Sequence, residues 1–269
     1  MNALETVVLS DLHLCDAHEP SRRRPHWMAH KRREFFFDDD FGRLIRHIEE
    51  QADGPVELVL NGDTFDFDSV TALPTDPPGK ISWLARLRGL ASEEWMSLFK
   101  LERIAADHGE WFEHLAGFIR RGGRVIFVAG NHDVELLWPS VQQRIRELLG
   151  VDAISGEREV GASEPPSALM PSDDPVVFCS WFYLSGGDTY ISHGHQYDPN
   201  CVQKNPIDPL IKVRGRPRVR IPFGDLAARY MLNGMGYFNP HDTGNVIRTA
   251  SAYAKFFFQY MFLTQPLLI

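Results

Sequence analysis

Four short stretches of this chain mix carboxylate or amide oxygen with imidazole. Asp11 and His13 stand two residues apart, Asp63 is followed by Asp66, Asn131, His132 and Asp133 are consecutive, and His193 and His195 flank one glycine. Hard oxygen donors combined with imidazole suit a divalent cation such as Mn, Fe, Zn or Mg rather than a thiolate-bound metal. Taken alone, an Asp-x-His is an ordinary turn or cap. What sets these four apart is their common setting, since each comes directly after an apolar run: "TVVLSDLHL" from Thr6, "VELVLNGDTFDF" from Val56, "RVIFVAGNHD" from Arg124 and "DTYISHGHQYD" from Asp188.

Those runs read as strands, being β-branched or aromatic and of strand length. The first three are almost continuously apolar, which predicts burial on both faces of a sheet. Helical periodicity lies between them. "DFGRLIRHIEEQADG" places Phe41, Leu44, Ile45 and Ile48 on one face, with Gly54 just past its end. Residues 83–121 repeat apolar positions, among them Leu84, Leu87, Leu101, Ile104, Trp111 and Leu115, and predict two helices broken near His108 and Gly109. "WPSVQQRIRELLGVD" is framed by Pro139 and Gly150. Strand alternating with helix predicts an α/β fold with a parallel sheet, whose chemistry collects beyond the carboxyl ends of the strands. Residues 155–185 break the rhythm with a Pro-, Ser- and Gly-rich loop, after which "VVFCSWFYLSGG" reads as a strand turning at Gly186 and Gly187.

The 269 residues are 43% apolar and 24% charged, enough for a sizeable core. With 28 basic against 36 acidic residues, the net charge of −8 gives no global attraction to nucleic acid, so no nucleic-acid partner is favoured. Cys15, Cys179 and Cys201 fit neither a disulfide framework nor a thiolate metal motif, and the default is a reducing compartment. "MNALETVVLSDLHL" reads as a first strand and not as a signal peptide, which predicts a cytoplasmic protein.

"DLH", "GDTFD" and "GNHD", in that order, resemble the calcineurin-like metallophosphoesterases, and with the fourth stretch they tie together residues 5–199. The resemblance implies a four-layer α/β/β/α sandwich that hydrolyses phosphate esters with two divalent ions, manganese first among them. It implies that Asp11 and His13 hold the first metal, that Asp63 bridges both, and that Asn131 holds the second. His132 would serve as proton donor or charge stabiliser over the phosphate, with Asp66 orienting it. Two cations ~3.5–4 Å apart can grip attacking and leaving oxygens and activate water near neutral pH.

The family pattern ends with a lone histidine and then a later Gly-His-x-His. Read as the last element, "GHQY" carries Tyr197 where a histidine belongs. Read as the lone histidine, "ISHGHQYD" resembles the corresponding step of bacterial UDP-2,3-diacylglucosamine pyrophosphohydrolases and makes His193 a ligand of the second metal. His195 and Asp198 are then near the site without being clear ligands. No Gly-His-x-His follows residue 199, and the chain closes on the apolar "KFFFQYMFLTQPLLI". The expectation is a longer natural protein that supplies this motif downstream.

Residues 1–199 are therefore expected to form the core and residues 200–269 a helical excursion, with helices at 223–235 and 242–263. In "IKVRGRPRVRIP", Lys212, Arg214, Arg216, Arg218 and Arg220 alternate, so an extended chain would collect them on one face. That face is either a contact for phosphate or anionic lipid, which makes Arg214, Arg216 and Arg218 candidate substrate-binding residues, or a solvated edge. A second basic run, "RRRPHWMAHKRR" at 22–33, either steers an anionic substrate or is a solvated loop. The leading expectation is a metal-dependent hydrolase of a phosphate ester or pyrophosphate. Its substrate is a phosphorylated small molecule or a lipid, met at the inner face of the membrane. The alternatives are a two-metal nucleotide phosphodiesterase or nuclease, and a binding scaffold that has lost its metals.

Overall fold

The computed structural model describes residues 5–19, 22, 27–151, 174–230, 233 and 258. The strands β1 (Glu5–Leu9), β2 (Val56–Asn61), β3 (Arg124–Val128) and β4 (Val176–Cys179) form a parallel sheet in that order. Side-chain alternation splits it cleanly. Leu58, Leu60, Val125, Phe127 and Val176 face a core shared with helices α1 (Asp38–Gln51), α3 (Glu94–Asp107), α4 (Gly109–Arg120) and α5 (Pro139–Leu148). Val59, Ile126, Val128, Val177 and Cys179 face the other way, onto Tyr183 and Ile191 of a second sheet. Helices, parallel sheet and second sheet thus stack as layers of a mixed α/β fold, and burial on both faces explains why β2 and β3 are continuously apolar. The expectation of two buried faces fails for β1, an edge strand in which Val8 is 45% exposed.

The second sheet is the antiparallel hairpin of β5 (Phe182–Ser185) and β6 (Thr189–Ser192), turning at Gly186 and Gly187. "VVFCSWFYLS" is therefore two strands. Its first half extends the parallel sheet and its second crosses to the other layer, so the run ending at His193 belongs to the second sheet. Asn61 joins the layers where it matters, its Nδ2 donating to the Ser192 carbonyl at 3.1 Å.

Helix α1 opens with Asp38, Asp39 and Asp40 at its positive end and buries Phe41 and Ile45, while Leu44 is exposed. The break at His108 holds, and its buried ring bonds the Asp38 carboxylate (2.8 Å) and the Cys15 carbonyl (3.0 Å). The apolar stretch that begins this region is a separate short helix, α2 (Trp83–Arg88). It is capped by Ser82 and stopped at Gly89, and it leaves Trp83, Leu84 and Leu87 exposed.

Beyond residue 200, the alternating arginines do not run along one strand. Arg214 and Gly215, both at positive φ, turn β7 (Leu210–Val213) back on β8 (Arg216–Val219). Val219 joins the main core and exchanges hydrogen bonds with Ser92. Helix α6 (Phe223–Tyr230) follows. The helix expected at 242–263 and most of the 155–185 loop lie outside the described residues. Among the described residues, no helix is long and apolar enough to cross a membrane.

Candidate functional site

Parallel pairing continues past the strand ends and carries the motif loops with it. Asp11 N–H donates to the Gly62 carbonyl (3.1 Å), His13 N–H to Asp63 (2.8 Å), and Phe67 N–H to His132 (3.2 Å). Of the five non-glycine residues at positive φ among those described, three are Asp11, His13 and Asp63. This left-handed backbone is costly and is tolerated best by short polar side chains. The glycines beside them are dictated by proximity. A side chain at Gly62 would strike the His193 ring, and one at Gly130 would strike the Asp63 carboxylate.

The result is a convergence on Asp63, which is 3% exposed. Its Oδ2 lies 3.2 Å from His193 Nε2 and 3.9 Å from His13 Nε2, and its Oδ1 accepts the His132 backbone N–H at 2.9 Å. His13 Nε2 is also 3.9 Å from Asp11 Oδ1. Two sets of donor atoms, His13 with Asp63 and His132, and Asp11 with Asp63 and His193, each lie within 4.8 Å of one another. Asp63 belongs to both. His193 Nδ1 faces the Asn61 carbonyl at 2.9 Å, so this nitrogen donates and Nε2 is the one turned to Asp63. That is the arrangement by which a protein presents imidazole to a metal. The donors fit a divalent cation.

His132 is held on two sides. Nδ1 is 3.3 Å from Asp66 Oδ1, and Asp66 is fixed in turn by the Ser69 N–H and hydroxyl. Nε2 is 3.4 Å from Asp225 Oδ1. Asp133, fully buried, accepts backbone N–H bonds from Gly130 (2.6 Å) and Thr64 (2.8 Å), clamping the second and third motif loops together.

The electrostatics follow. Burial opposes ionisation of Asp63, yet its hydrogen bond with His193 and the charges of His132, His193 and His13 bring the carboxyl down to about 2. Burial also opposes protonation of His193, but Asp63, the Asn61 carbonyl and Asp133 raise it to about 9. His132 is likewise raised well above its ordinary value against burial, through Asp66, Asp63 and Asp225. His195 moves the other way, to about 4, through burial and the neighbouring His193 charge.

Asp11, His13, Asp63, Asn131, His132, Asp66 and His193 thus meet at one place. His195 is buried beside His193, the ring centroids 5.3 Å apart, and belongs to neither donor set. Asp198 caps a turn by accepting from the Asn200 N–H. Arg216 and Arg218 reach buried Glu93, Arg218 Nη2 at 2.6 Å, and Arg214 sits in the hairpin turn. The basic run at 22–33 is partly structural. Lys31 is 1% exposed, paired with Asp16 and donating to the Ser69 carbonyl at 2.7 Å, and Arg33 pairs with Asp107.

Sequence reasoning missed Asp225. It is 1% exposed and accepts from Asn131 Nδ2 at 2.9 Å, and burial, with the charges of Asp68 and Asp63, pushes it up to about 8 against His132 and Asn131. Nothing local in "FGDLAARY" marks it. The one signal is its spacing of four from Arg229, a second buried charge on the same face of α6.

Searches of curated proteins and of solved structures returned no significant match. The family model for calcineurin-like phosphoesterases matches residues 4–225, well over half of the chain. With its three motifs gathered at the ends of β1, β2 and β3 around shared carboxylate and imidazole donors, the chain belongs to the calcineurin-like phosphoesterases, metal-dependent hydrolases of phosphoric esters.

Proposed function

We propose that this protein hydrolyses a phosphate ester or pyrophosphate at a two-cation centre, and that its substrate is lipid-linked. The observation that carries the two-cation reading is the membership of Asp63 in both donor sets. The family pattern would give Asp11 and His13 one cation and Asn131 and His193 the other, with Asp63 shared, whereas the two donor sets group His13 with His132 and Asp11 with His193 around the same Asp63; manganese is our choice of ion. When bound, such ions polarise the phosphoryl oxygens and make water nucleophilic near neutral pH. The chain's own groups do the rest. Asp66 holds His132 at Nδ1, and Nε2, 3.4 Å from Asp225 Oδ1, would give a proton to the departing oxygen. The Asn61 carbonyl fixes the His193 tautomer.

Support for a lipid-linked substrate comes from the two helices beside this site. Helix α6 meets His132 through Asp225 and exposes Phe223, Leu226 and Tyr230, and α2 exposes Trp83, Leu84 and Leu87. Asn233, beyond α6, donates to the Arg88 carbonyl at the end of α2 and to the Asp68 carbonyl. Exposed apolar groups around a polar site suit acyl chains and peripheral contact with the inner face of a membrane. The test is hydrolysis of bis(p-nitrophenyl) phosphate with added Mn²⁺, followed by competition with phosphodiesters bearing long or short acyl chains. Inhibition that rises with chain length supports the lipid reading. Equal inhibition by all of them, or preference for a nucleotide, sinks it.

A further inference from the structure

Helix α6 turns two buried charges inward one turn apart. Asp225 receives Asn131 Nδ2 at 2.9 Å. Arg229, 2% exposed, approaches Asp68 at 3.6 Å. Asn233, beyond the helix, donates a hydrogen bond of 2.7 Å to the same Asp68's carbonyl. The helix is therefore pinned to the second motif loop at Asp68 and to the third at Asn131, and Asp225 is not left to drift.

An asparagine side chain has one acceptor and two donors, and rotating its amide by half a turn exchanges them with almost no change in shape. A cation accepts only the oxygen. The rotation must therefore be decided by whatever bonds the NH₂ end, and Asp225 Oδ1 stands there as an acceptor, whether the carboxyl is ionised or carries its proton on Oδ2. We propose that Asp225 is a positioning residue for Asn131: by receiving Nδ2 it selects the amide rotamer in which Oδ1 is the group available to a cation. This rests on the two-cation reading above and adds to it a requirement from outside the three strand-end motifs.

The experiment measures Mn²⁺ binding to the whole chain by calorimetry and electron paramagnetic resonance, alongside Asp63→Asn, Asp225→Ala and Asp225→Asn. The last variant removes the charge and keeps a carbonyl that can receive Nδ2. Thermal unfolding in chelator checks that each variant folds. The expected wild-type result is two bound ions. Asp225→Ala should weaken one of them by roughly ten- to a hundredfold and leave the other, the size typical of losing a group that orients a ligand. Asp225→Asn should restore most of that affinity. Two ions bound equally well by Asp225→Ala would overturn the positioning role alone, as would Asp225→Asn falling as far as Asp225→Ala. A wild type that binds fewer than two ions, with Asp63→Asn no different, would overturn the two-cation reading and this proposal together.

Discussion

Asp63 and Glu135 are both buried acids near the same core, and only Glu135 has a basic side chain to itself. Lys100 Nζ lies 2.7 Å from Glu135 Oε1, both side chains are fully buried, and the ammonium also lies 5.5 Å from the Phe67 ring centroid. Lys31 and Asp16 repeat the arrangement. Asp63, among the described residues, forms ion pairs with His13 and His193 and with no lysine or arginine. A buried charge without a partner is expensive, so one that stands among imidazoles able to lose their protons is set for an incoming cation. Where the chain supplies its own cation, it builds structure. Where it withholds one, it builds a site.

Changes to each region should therefore fail in opposite ways, and the sharpest break is at Asp63. Asp63→Asn should cut Mn²⁺-dependent phosphodiesterase activity by about ten-thousandfold. Its melting temperature in chelator should fall only modestly, since the pairs with His193 and His13 weaken while an amide oxygen can still accept the His132 N–H. A large loss of apo stability would mean that Asp63 is a structural acid like Glu135. His132→Ala should lower kcat by roughly a hundred- to a thousandfold and leave Mn²⁺ affinity intact, as befits a proton donor. Because His132 also belongs to a donor set, loss of an ion in this variant would reassign it as a ligand.

On the other side of the comparison, Lys100→Ala should lose about 3–5 kcal/mol of stability in urea unfolding by stranding Glu135. The folded fraction should keep its Mn²⁺ affinity. The smallest effect belongs to the pair that ties β8 to the start of α3, in which Arg218 is 31% exposed and Glu93 is buried with Arg216 and Trp95 still beside it. Arg218→Ala should cost about 1 kcal/mol near neutral pH. Burial opposes ionisation of Glu93, but Arg218, Trp95 and Arg216 hold its carboxyl below the ordinary 4.5. That stabilisation is complete above the unfolded value and disappears as pH falls through the lower folded one. The stability gap between wild type and Arg218→Ala should therefore close in acid. A gap that persists there would show that Arg218 acts through packing.

The strand-end motifs were legible because hard chemistry leaves few residue choices: Asp11, His13, Asp63, Asn131 and His132 each sit in a recognisable motif of three to five residues. The helix break at His108 was legible for a related reason, an interrupted period beside Gly109. Asp225 was not, since a lone acid in an amphipathic helix looks the same whether it faces water or an asparagine. The arginines at 214, 216 and 218 misled because alternation assumes an extended chain, and Arg214 and Gly215 turn it back instead. Glu93, which receives two of them, lies more than a hundred residues away in sequence.

The sequence by itself determined the family, the parallel sheet and the donor types, because these depend on side-chain period and ligand chemistry that are written locally. Only the tertiary structure decided that β4 and β5 part into different layers, that Asn61 of β2 ties the two layers together at Ser192 beside His193, and that α6 returns to hold the third motif. Those are contacts between segments far apart in the chain, and they are fixed by packing and hydrogen-bond geometry that no single segment carries.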